Sequence, residues 1–443
     1  MSDQYDAREA IAAVGSDFVE FTVDSQSRYG PDGPLNWPGY GEARERATLK
    51  SGEPESVVCG EAKIGGVPAV VIAFDFRYLG GSVGTATGDR IEQAFTRARE
   101  TRTPLVSLIS TGGSRMHEGM LSLRQLQRVA RHAALLRQAG VPQVSVLRDP
   151  TTGGVWASLG AGADVVIGVE GAQIGFAGRR VRPIADADDP VFTAAGQFAA
   201  GNLDEVCSPD DVGEALTDWL ILLKSGTADP AEVPRALGTS TEGDGWATVL
   251  RARSTERPHA VAYLDDYFDL RRSVSGDRAG GVDAGMLCGI GLRGRHSIAF
   301  AAQTGTATTQ AGFRTASRLI RLADRLGLPV LTLIDTPGAA NDAAAERAGV
   351  GPAIAELFAT VAAARVPITS LVIGEGGSGG ALALAAPDRT WIAPDAYFSV
   401  IAPELSAAIL KRPAAEVPEI ATRLKLRPND LVELGVVRGI ASR

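Results

Sequence analysis

Four short glycine turns carry most of the chemistry this sequence can offer, and they come as two pairs. STGG at 110–113 goes with PTTGG at 150–154, and DTPG at 335–338 goes with GEGGSGG at 374–380. The first turn of each pair follows an apolar run; the second leads into a helical pattern, at 155–161 or 381–385. A helix N-terminus offers unpaired N–H groups and a partial positive charge, and glycine lets a ligand approach the backbone closely. If the two turns of a pair converge, one amide from each can hold a carbonyl oxygen as it turns negative, which is an oxyanion hole. One such turn alone says little, because glycine-rich strand–helix turns are common in α/β proteins. The recurrence says more. Pro104 and Pro329 lie 225 residues apart, as do Gly113 and Gly338, Val141 and Val366, and Gly154 and Gly379. A constant offset at four landmarks marks a duplicated unit, and two holes suit a reaction between two carbonyl-bearing substrates.

Other chemistries are thinly supplied. No G-x-S-x-G elbow stands near a histidine, and His117, His132, His259 and His296 show neither triad nor ligand spacing. His132 lies among arginines of a helical pattern and is expected at the surface; His117, beside the first turn, is a candidate for substrate contact. Residues 374–380 lack the Gly-Lys-Ser/Thr continuation of a phosphate loop. Cys59, Cys207 and Cys288 stand far apart, so no structural zinc site is expected. Carbonyl-polarising amides with few acid–base groups point to enolate chemistry, with the base brought by a substrate.

The elements that must position these turns follow from the hydrophobic pattern. Apolar runs at 105–109, 144–147, 330–334 and 369–373 read as strands buried on both faces. Between them, 119–139 places Leu121, Leu123, Leu126, Val129, Ala133 and Leu136 at helical spacing with Arg124, Arg128 and Arg131 outside, and 312–327 repeats the design. Strand–helix–strand alternation implies parallel pairing with right-handed crossovers. The 443 residues divide into an N-terminal extension at 1–56, helical in part, a first domain at 57–210, a linker with a helix at 211–256, and a second domain at 257–443. The polar stretch at 240–245 sits in that linker. A net charge of −8 gives no support for a nucleic-acid partner. The opening residues lack a signal-peptide pattern, and no unbroken apolar stretch of about 20 residues occurs. A cytoplasmic protein with no membrane partner is expected.

The same motifs resemble the carboxyltransferase component of biotin-dependent acyl-CoA carboxylases, in the crotonase superfamily. The first half is similar to the bacterial acetyl-CoA carboxylase beta subunit in PLNWPGY (34–40), FDFRYLGGSVG (74–84), STGGSRMHEG (110–119), DPTTGGVWAS (149–158) and IGFAGRRV (174–181). The second half resembles the alpha subunit in RPHAVAYL (257–264), GDRAGG (276–281), IDTPGA (334–339), VIGEGGSGGALALA (372–385), FSVIAPE (398–404) and LRPNDLVELGVV (426–437). The resemblance implies an α/β fold of two tandem crotonase-like ββα-superhelix domains, the first for the acyl-CoA and the second for biotin. It implies that carboxybiotin releases CO2, that its ureido nitrogen takes the α-proton of an acyl-CoA such as acetyl-CoA or propionyl-CoA, and that the enolate attacks CO2. Gly112, Gly113, Gly153 and Gly154 would then hold the thioester oxygen, and Gly338, Gly379, Gly380 and Ala381 the biotin carbonyl. Arg77, Arg115, Arg179 and Arg180, with Arg182 beside them, would meet the phosphates of coenzyme A; for Arg77 and Arg115 a structural ion pair is the competing role. The resemblance also implies a biotin carboxyl carrier protein and a biotin carboxylase subunit as partners, and a homo-oligomer, a dimer or a hexamer, with sites shared between subunits.

Three departures stand out. No four-cysteine zinc ribbon and no Met-Lys-Met biotinylation sequence occur, so biotin is expected on a separate carrier protein. After Gly338 the family continues with an aromatic residue and a proline, where this chain has AAND at 339–342. That loop borders the biotin side, and Asn341 and Asp342 are expected to be plain loop residues. Two alternatives stay open: a biotin-independent decarboxylase of a malonyl thioester, and a non-catalytic scaffold in a carboxylase complex.

Overall fold

The computed structural model describes residues 6–22, 29–224, 226–238 and 242–442. Residues 1–5 of the opening segment, and 240–241 of the polar stretch at 240–245, lie outside them. The chain forms two compact units, Met1–Lys224 and Ser225–Arg443.

The first unit is built on β1 (Ser16–Glu20), β2 (Val57–Ile64), β3 (Val67–Phe74), β4 (Leu105–Thr111), β5 (Gln143–Thr152), β6 (Val165–Val169), β7 (Ile174–Gly175) and β8 (Glu205–Cys207). Its sheet runs β1-β2-β3-β4-β5-β6-β8, with β7 paired to β5. β1 to β3 pair antiparallel, and β3 onward pair parallel through helical crossovers. β4 is buried at every position, as a strand with both faces covered requires. Helix Thr85–Thr101 lays Ile91, Ala94, Phe95 and Ala98 on the sheet beside Phe74, Leu105, Ile109 and Trp156. The N-terminal extension is partly helical (Ala7–Val14 and Tyr40–Ser51) and also supplies edge strand β1, whose charged, exposed residues the hydrophobic pattern does not reveal. Helix Ala7–Val14 packs against helix Val212–Leu222.

The second unit repeats the plan with β9 (Leu270–Ser273), β10 (Met286–Arg293), β11 (His296–Gln303), β12 (Val330–Thr336), β13 (Ile368–Gly377), β14 (Thr390–Ile392) and β15 (Tyr397–Ser399). The order is β14-β13-β12-β11-β10-β9, with β15 on β13. Helix Gln310–Leu326 buries Phe313, Ala316, Leu319, Ile320 and Ala323 at i, i+3, i+4 spacing and stops at Gly327, whose φ of +71° ends it. β12 and β13 press Leu331, Leu333, Leu371 and Ile373 against Phe300, Tyr263 and Leu264.

Several expected bounds shift. The stretch 211–256 splits between the units: Val212–Leu222 buries Trp219 and Leu216 in the first, and Gly245–Ala252 buries Val249 in the second. β5 and β13 run past the expected ends to Thr152 and Gly377, because pairing resumes after a bulge (Ile109/Thr111 and Ile334/Thr336). The helix at 155–161 is one π-helical turn, Trp156–Gly160, and the one at 381–385 starts earlier, as Ser378–Leu382. Leu123 faces solvent, since the buried line of helix Gly119–Gln138 is Ser122, Gln125, Val129 and Leu136. Among the described residues no helix is long and apolar enough to cross a membrane.

Candidate active site

The 225-residue offset holds down to single hydrogen bonds. Thr111 Oγ1 donates to the carbonyl of Gly81 at 2.6 Å, and Thr336 Oγ1 to that of Thr306 at 2.8 Å. The amide of Gly113 donates to Thr111 Oγ1 at 3.0 Å, and that of Gly338 to Thr336 Oγ1 at 3.1 Å. The Gly113 carbonyl accepts from Val83 N (2.9 Å) and the Gly338 carbonyl from Thr308 N (3.2 Å). The turns that end β4 and β12 are thus each tied down three ways, through a threonine and the glycine two places on. Gly113 and Gly338 sit at φ +102° and +141°, where a side chain is strained.

The two turns of each unit do converge. A Cβ on Gly113 would stand 3.4 Å from Gly153 Cα and 3.9 Å from Gly154 N. In the second unit a Cβ on Gly380 would stand 2.9 Å from the carbonyl carbon of Gly338 and collide with Ala339 N. The hydrogen bonds narrow the set of donors. Gly112 spends its amide on the Gly80 carbonyl (2.8 Å), and Gly153 on those of Gly175 (3.2 Å) and Phe176 (3.1 Å), so these two shape the turn and do not donate from it. The Gly113 amide is held only within its own turn, by the Thr111 hydroxyl, and it faces Gly154, which opens a helical segment. Opposite Gly338, Gly379 and Gly380 lie in the first turn of helix Ser378–Leu382, where amides lack an intrahelical acceptor. Nothing stands within 4 Å of a Cβ on Gly379, whereas Ala381 is fully buried.

The arginines separate sharply. Arg115 is 1% exposed. Its Nη1 and Nη2 reach Glu55 Oε1 and Oε2 at 2.6 and 2.7 Å, and Nη2 also donates to the Ser82 carbonyl at 2.7 Å. It is a strut and unavailable to a phosphate, which corrects the expectation for it. Burial alone would push the Glu55 carboxyl up, but the Arg115 charge and its hydrogen bonds hold it at about 2. Tyr40 of the PLNWPGY motif joins this network by donating to Glu118 Oε1 at 2.6 Å, and His117 stacks on the Tyr40 ring with centroids 4.8 Å apart. Arg77 is bound to Asp75 (2.9 Å), Asp6 (3.0 Å) and the Ser51 carbonyl (2.9 Å), yet it still lines a cleft of about 460 Å³ with Arg46, Lys50, Phe76, Leu79 and Gly80. Arg179 and Arg180 are exposed, Arg179 lying 3.5 Å from Asp188; Arg182 is buried over the Phe192 ring.

In the second unit Arg257 grips the buried Asp335 through Nη2 at 2.6 and 2.8 Å, and His259 Nδ1 lies 3.4 Å away. Glu375 accepts from Tyr397 Oη (2.7 Å) and Arg253 Nε (2.8 Å). Asp342 caps helix Ala343–Arg347 by accepting from Ala345 N at 2.8 Å, and Asn341 is exposed. His132 is more enclosed than expected, 3.1 Å from Glu92, and burial lowers its pKa. Sequence reasoning passed over the Thr111 and Thr336 hydroxyls, Glu55 and Glu118. The 225-residue recurrence of threonine two places before glycine was the available signal for the first two.

Residues 21–186 match the carboxyl transferase domain family, and residues 240–442 the family described as acetyl co-enzyme A carboxylase carboxyltransferase-like. The chain is 41% identical to the acetyl-coenzyme A carboxylase carboxyl transferase subunits beta/alpha of Salinispora tropica, over 94% of this chain and 78% of that one. It is 33% identical to a probable biotin-dependent acyl-coenzyme A carboxylase beta3 subunit of Mycobacterium bovis, over 89% and 82%. Among solved structures, the transcarboxylase 12S hexamer with hydrolysed methylmalonyl-coenzyme A bound superimposes with a TM-score of 0.81 at 21% identity, covering 99% of this chain and 86% of that one. A single-chain, multi-domain long-chain acyl-CoA carboxylase gives 0.77 at 20% identity, over 99% and 46%.

Proposed function

Since the chain belongs to the acetyl-CoA carboxylase carboxyl transferase beta/alpha family, with its two crotonase-like domains in tandem, we propose that it transfers a carboxyl group from carboxybiotin on a separate carrier protein to the α-carbon of an acyl-CoA. The observation that carries the reading is the duplicated convergent turn, which suits a reaction with two carbonyl partners. In the first unit Gly113 and Gly154 would hold the thioester oxygen and favour the enolate over the neutral thioester, the Gly113 amide sharing its proton between Thr111 Oγ1 and the ligand; Gly112 and Gly153 shape their approach. In the second unit Gly338, Gly379 and Gly380 would hold a neutral urea carbonyl, with Ala381 completing the helix start behind them. The open space over Gly379 fits such a group. Biotin, when bound, supplies the carboxyl group and a ring nitrogen able to act as base. That agrees with a site poor in acid–base side chains.

For the phosphates of coenzyme A, the cleft lined by Arg46, Lys50 and Arg77 is the better seat than Arg115, because Gly80 on its wall accepts from the Gly112 amide. Arg179 and Arg180 are a second, exposed source of positive charge. The biotin carboxyl carrier protein and biotin carboxylase would be partners, in the cytoplasm, with the chain acting as a homo-oligomer. The test is to incubate purified protein with malonyl-CoA, with and without free biotin or a biotinylated carrier. Transfer that needs biotin is expected. Carrier-independent CO2 release would replace this reading with a malonyl-thioester decarboxylase, and no turnover of any acyl thioester would favour the scaffold.

A further inference from the structure

We infer that each hole is aimed by a buried arginine–carboxylate pair acting as a positioning device, and that the two pairs carry opposite polarity. In the first unit the turn supplies the cation: Arg115, two residues after Gly113, binds Glu55, which lies just before β2. In the second the turn supplies the anion: Asp335, three residues before Gly338, binds Arg257, which lies in the segment before β9. Each pair ties a glycine turn to a segment that precedes the antiparallel hairpin of its unit, β2–β3 or β10–β11.

The bonds show what each pair fixes. Arg115 N donates to the Val83 carbonyl at 3.0 Å while Val83 N donates to Gly113 O at 2.9 Å, and the Arg115 guanidinium holds the neighbouring Ser82 carbonyl. The peptide that follows Gly113 is therefore clamped from both sides. Asp335 Oδ1 accepts from Glu375 N at 3.1 Å, and the Asp335 carbonyl accepts from Gly305 N at 2.7 Å. This second pair fixes both converging strands just ahead of Gly338 and Gly377. A paired, fully hydrogen-bonded ion pair at low dielectric sets distance and orientation more than it adds net stability.

Two glycines make room for the pairs. A Cβ on Gly84 would collide with Glu118 Oε1 and lie 2.7 Å from Arg115 Nη1, and one on Gly374 would collide with Asp335 Oδ1 and Arg257 Nη2. Gly374, the first residue of the GEGGSGG motif, thus serves the ion pair and not the hole.

The assignment of one pair to each substrate rests on the carboxyltransferase reading; the positioning role does not. The test uses the full chain with both members neutralised, Glu55→Gln/Arg115→Met and Asp335→Asn/Arg257→Met, since replacing both strands neither member of the pair; buried Glu118, 3.6 Å from Arg115 Nη1, keeps its bonds from Tyr40 Oη and Thr85 N. Tm should stay near the parent. Amide hydrogen exchange should rise about tenfold in peptides covering 110–115 for the first variant and 374–380 for the second, as expected when a local clamp is released. For the first variant kcat should fall about 10- to 100-fold with the acyl-CoA KM within about twofold, the pattern of misplaced transition-state donors. The second should shift the constants for the carboxyl donor instead. If either double variant fails to fold, Gly374→Ala and Arg115→Lys carry the same split without removing charge. Parental exchange rates and kcat in a folded variant, or an equal loss for both substrates, overturn the inference. Exchange is read without turnover, so an inactive parent would sink the carboxyltransferase reading alone.

Discussion

Gly379→Val separates the hole from the fold. Gly379 has an ordinary φ, and nothing stands within 4 Å of where its Cβ would go, so the isopropyl group points into open space. Removing a glycine from a helical turn favours folding by about 0.5–1 kcal/mol, partly offset by the stiffness of valine. The same group occupies the volume a carbonyl needs to reach the helix-start amides, and loss of one such donor costs about 10²–10³ in rate, roughly 2.7–4 kcal/mol. Stability and activity should therefore move in opposite directions: Tm unchanged or raised, carboxyl transfer down at least about 100-fold. Gly380→Ala is the contrast, because its Cβ would collide with Ala339 N and drive the two turns apart, lowering both. The assay is carboxylation of acyl-CoA with a biotinylated carrier, alongside a thermal melt. A Gly379→Val enzyme with parental kcat/KM would refute the placement of a carbonyl there.

Further outcomes follow from the rest of the site. Arg46→Ala/Lys50→Ala should raise KM for an acyl-CoA about two- to fivefold for each exposed cation removed and leave that for the matching acyl-pantetheine unchanged, which steady-state kinetics would read. Glu55 has a folded pKa held down to about 2, so its contribution is present above the ordinary carboxylate range and is lost as pH falls from about 4.5 towards 2. Urea unfolding at pH 7 and pH 3 should show that loss in the parent and not in Glu55→Gln/Arg115→Met. Burial pushes the Cys59 and Cys288 thiols up to about 12, so alkylation followed by mass spectrometry should find both unmodified until the chain unfolds. Asp342→Ala should cost about 1 kcal/mol of stability, the value of an N-cap, with kcat unchanged.

The turns and their pairing were legible because glycine, proline and two-faced apolar strands leave marks that survive without contacts. The offset between Gly113 and Gly338 reappears in the bonds of Thr111 and Thr336, which needed no knowledge beyond the repeat. The role of Arg115 was not legible. A motif arginine looks the same whether it faces a ligand or Glu55, and its partner lies 60 residues away in the chain. β1 was hidden for a different reason: as an exposed edge strand, Ser16–Glu20 has no apolar face to show. Leu123 misled because an apolar residue at helical spacing is not thereby buried; its helix buries Ser122 and Gln125 instead. Which amides of a glycine turn stay unspent depends on carbonyls brought in by other strands, as Gly80 is for Gly112, and no local pattern encodes that.

The packing of helix Ala7–Val14 on helix Val212–Leu222 bears on how the first unit is made. These are among its first and last elements, and a Cβ on Gly213 would sit 3.4 Å from the Ala13 carbonyl. Contacts so distant along the chain are slow to form, and they exist only after the second partner has been synthesised. On the ribosome the first helix can settle on β2 and β3 as soon as they form, but its face for helix Val212–Leu222 stays open until Leu222 has emerged. The sheet can assemble earlier from its local hairpin and crossovers, so the last step in maturing the first unit is the docking of its final helix onto its first.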